Sequence, residues 1–175
     1  MYPDTDYDVV VVGGGPAGST VGALLADAGR KVLVIDREKF PRFRVGESLM
    51  PATYWTLERL GVLDQMKCSS FPNKHSVQFF AKNGEAAAPY YFSRVNQHES
   101  SQTWQVDRRD FDHMLLKNAA AKDADVFEQV RVHDVLFDGN RAMGIRAEFK
   151  NGVKKAITAK VIVDATGQSA IIAKK

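Results

Sequence analysis

Hydrophobic positions fall into distinct patterns along the chain. Residues 7–12 (Tyr-Asp-Val-Val-Val-Val) form a β-branched run without alternation, as in a strand buried on both faces of a parallel sheet. Glycines follow, and a helix is predicted from about Pro16 to Ala28, stopped by Gly29. Residues 31–35 read as a second buried strand, ended by Asp36. This strand-helix-strand unit occupies about thirty residues, the usual size of a β-α-β motif.

The alternation then stops. Residues 38–48 are irregular and basic, and residues 51–60 read as a helix closed by Gly61. Hairpin-like segments follow at 76–81 and 88–92, around an Asn83-Gly84 turn. Residues 103–106 predict a strand leading into a helix over about 108–121, whose Phe111, Leu115 and Ala119 share one face. The remainder is β-rich. One or two strands are expected over 125–137, another over 142–149 after Asp138-Gly139-Asn140, and a third over 153–158 after Asn151-Gly152. A buried strand over 160–164 then enters Ala165-Thr166-Gly167.

Composition narrows the class. With 175 residues and 45% hydrophobic content the chain can bury a sizeable core, and its length fits one domain. A net charge of +3 is too small to indicate a nucleic-acid partner. Residues 9–26 carry no charge, but Asp4, Asp6 and Asp8 precede them and Gly13-Gly14-Gly15-Pro16 interrupts them. Neither a signal peptide nor a membrane span fits that arrangement, and a cytoplasmic protein is expected. The single Cys68 excludes an internal disulfide, fits a reducing compartment, and reads as a small, partly buried side chain. His75, His98, His113 and His133 share no metal-ligand spacing, so no metal site is expected.

One motif carries chemistry. Gly13-x-Gly15-x-x-Gly18 follows a predicted strand and opens a predicted helix, and Asp36 lies 18 positions beyond Gly18. That order is the dinucleotide-binding fingerprint. Gly13 permits the tight turn, Gly15 lets backbone approach a pyrophosphate, and Gly18 allows close packing of helix on strand. Pro16 suits the first helical turn, and with Ala17 it belongs to the helix N-terminus that faces the phosphates. Asp36 accepts ribose hydroxyls and disfavours a 2′-phosphate.

A nicotinamide domain continues with further β-α-β units, whereas this chain passes through hairpins and a meander before its last buried strand. That order resembles the FAD-binding domain of the glutathione-reductase type. The expected fold is therefore α/β and Rossmann-like, a parallel sheet joined to an antiparallel β-meander. Three further landmarks sharpen the resemblance. Residues 40–51, containing Arg44-Val45-Gly46-Glu47-Ser48, strongly resemble the Arg-x-Gly-Glu-Ser segment of flavin-dependent halogenases. Those enzymes lie within the superfamily of FAD monooxygenases and geranylgeranyl reductases. Residues 106–112 match the superfamily's Val-x-Arg-x-x-Phe-Asp helix start, and Asp164-Ala165-Thr166-Gly167 its closing turn.

The resemblance implies FAD as cofactor, contacted also by Arg37, Arg44, Gly46, Ser48, Arg108, Asp164 and Gly167. Arg44 is the favoured contact of its basic stretch, while Lys39 and Arg42 read as solvated surface. Arg108 beside Arg109 opens a helix where positive charge opposes the dipole, which a cofactor-facing role explains and a solvated one leaves open. Ser48 has a second reading as a helix cap, and Glu47 as a surface ion pair.

In such halogenases reduced FAD, O2 and halide generate hypohalous acid, which a lysine conveys to an electron-rich aromatic substrate. Lys74, 26 positions past Ser48, occupies the comparable place. As an ammonium it can hydrogen-bond the oxidant; as a neutral amine it can form a haloamine. The plain alternative is an exposed loop lysine. Trp55, Trp104, Tyr90, Tyr91 and Phe92 are candidates either for a substrate cavity or for the core.

The family's Trp-x-Trp-x-Ile-Pro and later Gly-Asp segments do not occur in the 175 residues. The expectation is thus an FAD-binding domain over 1–175, the N-terminal part of a longer flavoprotein, served by a separate flavin reductase. Two other readings stand beside it: a reductase or hydroxylase of the same superfamily, and a nucleotide-binding domain without catalysis.

Overall fold

The computed structural model describes residues 2–172. In chain order the elements begin with β1 (Asp6–Val12), α1 (Pro16–Asp27) and β2 (Val32–Asp36). Then come α2 (Thr53–Leu60), α3 (Leu63–Lys67) and the short strands β3 (Asn73–Lys74), β4 (Ser76–Val77), β5 (Tyr90–Tyr91) and β6 (Thr103–Trp104). Helix α4 (Arg108–Ala121) precedes β7 (Asp125–Glu128), β8 (Val130–Asp138), β9 (Arg141–Phe149) and β10 (Lys154–Asp164). They divide into two compact units, one of them Val45–Arg108 and the other the residues on either side of it. Among the described residues no helix is long and apolar enough to cross a membrane.

The flanking unit is a six-stranded sheet in the order β7-β2-β1-β10-β9-β8. β7, β2, β1 and β10 run parallel, and β10, β9 and β8 are antiparallel neighbours. The valines of β1 explain the unbroken hydrophobic run. Val10 and Val12 face a core cluster with Leu33, Ile35, Ile145, Ala147 and Ile157. Val9 and Val11, also buried, point to the opposite face, as side chains alternate along a strand. Helix α1 lies close against β2, because a Cβ at Gly22 would come within 2.6 Å of Val34 Cγ2.

Two expected segments, 153–158 and 160–164, are one strand. β10 pairs antiparallel with β9 through Thr158 and parallel with β1 from Thr158 to Asp164. Lys160 is exposed and ion-paired to Asp8, so its charge needs no break in the strand. The expected strands of 125–137 are two, separated at Gln129, whose φ is +58°.

In the Val45–Arg108 unit, α2 begins two residues later than the pattern suggested and ends at a left-handed Gly61. The hairpin around Gly84 is reduced to the β4–β5 pair and a Phe80–Ala86 bridge. Trp104 and Phe92 are core residues there, whereas Trp55, Tyr90 and Tyr91 are exposed. Cys68 is exposed rather than partly buried.

Candidate functional site

The glycine loop leaves β1 at Gly13, whose φ is +110°. A Cβ there would lie 2.4 Å from the Ala165 carbonyl oxygen, and one at Gly18 would lie 1.8 Å from the Gly13 oxygen. The loop and the turn after β10 therefore interlock through backbone. Beside Gly15, the extended N-cap of α1, a Cβ would meet only an Arg42 nitrogen at 3.4 Å. Pro16 has no amide hydrogen, the Ser19 amide donates to Gly15 O at 2.9 Å, and no acidic residue stands in the first turn. The amides of Ala17 and Gly18 are then the helix-end donors that intrahelical bonding leaves over. That is a cradle for an anionic group, with a positive dipole end behind it.

Asp36, at the end of β2, is 9% exposed. Its Oδ2 accepts the Gly14 amide and its Oδ1 the Glu38 amide, both at 2.8 Å. The carboxylate thus fixes the glycine loop, and its remaining lone pairs stay available to ribose hydroxyls. Asp164 holds the opposing turn: its Oδ1 accepts the Thr166 hydroxyl and amide, and its Oδ2 the Ile172 amide. Burial works against its ionised form, but those hydrogen bonds outweigh it and hold the carboxyl below its ordinary pKa. Gly167 sits at φ +59° in the same turn.

In the basic stretch the sequence reading needs correction. Arg42 is not solvated surface: its side chain is 10% exposed, and Nη1 donates to Asp112 Oδ2 at 3.0 Å. The signal for a buried partner was Asp112 itself, an acid among the apolar positions of α4. Arg44 donates to Glu38 Oε1 at 2.5 Å, and exposed Arg37 approaches the same oxygen at 3.8 Å.

Within the Val45–Arg108 unit the structure joins two of the sequence landmarks. Gly46 has φ +117°, and Arg108 Nη1 donates to Val45 O at 2.9 Å and lies 3.4 Å from Gly46 O. The Val106 amide donates to Glu47 O, Ser48 bridges to Gln105, and the Leu49 amide donates to Trp104 O. Lys74 is paired with Thr103 across β3 and β6. Its Nζ donates to Ser48 Oγ at 2.6 Å and Leu49 O at 3.0 Å, and sits 5.4 Å from the Phe92 ring centroid. Ser48 is therefore a partner of Lys74 and not the cap of α2, whose N-cap is Ala52. These partners are neutral, and desolvation lowers the Lys74 pKa below the ordinary lysine value.

A glycine cradle, a helix N-terminus, an adjacent buried carboxylate and a buried guanidinium suit the ribose and pyrophosphate of an adenine dinucleotide. Comparison with known proteins agrees. Residues 6–175 match the FAD binding domain family. A 1H-pyrrole-2-carbonyl-[peptidyl-carrier protein] chlorinase of Pseudomonas fluorescens is 35% identical over 98% of the chain and 42% of its own length. The myxobacterial chondrochloren halogenase, an FAD-dependent halogenase of known structure, superposes with a TM-score of 0.86 at 41% identity, over 93% of this chain and 37% of that one. A flavoprotein/dehydrogenase from Cytophaga hutchinsonii gives a TM-score of 0.87 at 37% identity, over 97% and 41%. The chain thus spans about two fifths of the length of these relatives.

Proposed function

The chain belongs to the FAD binding domain family, its relatives include flavin-dependent halogenases, and on that premise we propose that it binds FAD for halogenation of an electron-rich aromatic substrate. The observation that carries the cofactor half is the glycine loop locked between Asp36 and the Ala165 turn. FAD, when bound and reduced, supplies the oxidising chemistry with O2 and halide.

The protein's share is to bind, orient and protect. Gly13, Gly15, Pro16, Ala17 and Gly18 receive the pyrophosphate, and Asp36 receives the adenosine ribose. Asp164 and Gly167 shape the turn beside the loop. Arg108 fixes the Gly46 backbone, and Arg37 and Arg44 add positive charge near the cofactor. A separate flavin reductase provides reduced flavin.

Lys74 is the candidate catalytic residue. With neutral partners and a lowered pKa, its amine is poised to hydrogen-bond hypohalous acid or to carry the halogen itself. The chain is to be supplied with reduced FAD, O2, bromide and a phenol or pyrrole, and brominated product measured together with flavin oxidation. Lys74→Ala is expected to abolish bromination while flavin oxidation continues; unchanged bromination removes Lys74 from the mechanism. The dehydrogenase name of one close structural relative supports a second reading, in which the chain serves substrate reduction or hydroxylation. A reduced or hydroxylated product without halogen in the same assay selects it.

A further inference from the structure

We propose that Asp112 is a positioning residue for the nucleotide site, acting through Arg42 to keep the Asp36 charge available for discrimination against a ribose 2′-phosphate. The inference rests on the reading that the glycine loop binds an adenine dinucleotide. Arg42 stands among three carboxylates, those of Asp112, Asp36 and Glu38. Its Nη1 lies 3.0 Å from Asp112 Oδ2, a hydrogen bond, whereas Nη2 lies 3.8 Å from Asp36 Oδ2, an ion pair without one. Nε is buried with no hydrogen-bond partner and lies 3.6 Å from Glu38 Oε2. The guanidinium carbon is 4.3 Å from the Phe40 ring centroid, and Nη2 borders Gly15. The cation is therefore desolvated, under-satisfied in hydrogen bonds, and next to the carboxylate that reads the ribose.

Asp112 is completely buried. Taking a carboxylate and a guanidinium out of water is costly, and their attraction offsets that cost only in part, so stability alone is a weak reason for the pair. Its geometric effect is specific. Asp112 draws Arg42 toward α4 and leaves the Asp36 carboxylate hydrogen-bonded to the two backbone amides, with the guanidinium held off at 3.8 Å. Without Asp112, the remaining carboxylates are the half-exposed Glu38, 3.6 Å from Nε and already bonded to Arg44, and the more deeply buried Asp36, which is the one that faces Nη2 at 3.8 Å. A closed Arg42–Asp36 pair covers the ribose acceptor and cancels the negative charge that repels a 2′-phosphate.

The test is equilibrium binding of ADP and of 2′-phospho-ADP, with the ratio of the two affinities as readout. Wild type is expected to prefer ADP. Asp112→Asn is expected to narrow that preference by roughly tenfold, the scale of one charge-assisted hydrogen bond. The double variant Arg42→Met with Asp112→Leu replaces the buried pair by apolar groups, a change that such sites commonly tolerate in stability. It leaves Asp36 without its neighbouring cation and is expected to widen the preference beyond wild type. A merely structural role weakens both ligands together and leaves the ratio unchanged, and that result in either folded variant overturns the proposal. Should Asp112→Asn fail to fold, the apolar double variant decides alone. If wild type binds neither ligand, the dinucleotide reading itself fails and this inference falls with it.

Discussion

Gly18 shows how little freedom single residues have at this site. Any side chain there starts with a Cβ 1.8 Å from the Gly13 oxygen and 3.2 Å from the Ala165 Cβ. Gly18→Ala is expected to push the loop off the Ala165 turn and abolish ADP binding, measured by calorimetry. Asp164 gives a pH dependence of definite sign. Its folded pKa is depressed below its ordinary 3.8, so the stability it contributes is present above that value and lost as pH falls through the folded pKa. Urea midpoints are expected to show Asp164→Asn less stable than wild type at pH 7, with the gap closing as pH falls below 3.8 and through the depressed folded pKa. The fingerprint glycines and Asp36 were legible in the sequence because spacing alone defines them. Arg42 was not, since a basic stretch without secondary structure reads as solvated, and its partner Asp112 lies 70 residues further on.

At the scale of elements, the buried strands and both long helices were legible, from unbroken β-branched runs, from the glycine and proline signals that bound α1, and from the i, i+4, i+8 face of α4. The joining of 153–158 with 160–164 was hidden: one strand changes partner at Thr158, and a pairing change leaves no mark in the residue pattern. The short α3 was also missed, as five residues are too few to show a period. Gly22 lay outside the fingerprint, yet its absent side chain sets how closely α1 approaches β2. Gly22→Leu drives a side chain into Val34 and is expected to destabilise by roughly 1–3 kcal/mol, the usual cost of overpacking, read from the denaturant midpoint.

At the scale of the whole molecule, two compact units carry different functional groups. The six-stranded sheet positions the glycine loop, Asp36, Arg42 and the Ala165 turn, and the Val45–Arg108 unit sets Lys74 on Ser48 and Leu49. The resemblance read from the Arg-x-Gly-Glu-Ser and Asp-Ala-Thr-Gly segments agrees with the family match over residues 6–175. The two-unit division was not legible, since residues 38–48 carry no Gly, Pro or Ser cluster of the kind that marks a linker. FAD binding is the claim on which the rest depends. The purified chain is to be mixed with excess FAD, passed through gel filtration, and its flavin absorbance and bound adenine nucleotide quantified. Protein that emerges yellow, with displacement of the flavin by ADP, is the expected result; protein that retains neither flavin nor adenine nucleotide at any excess is not an FAD-binding protein.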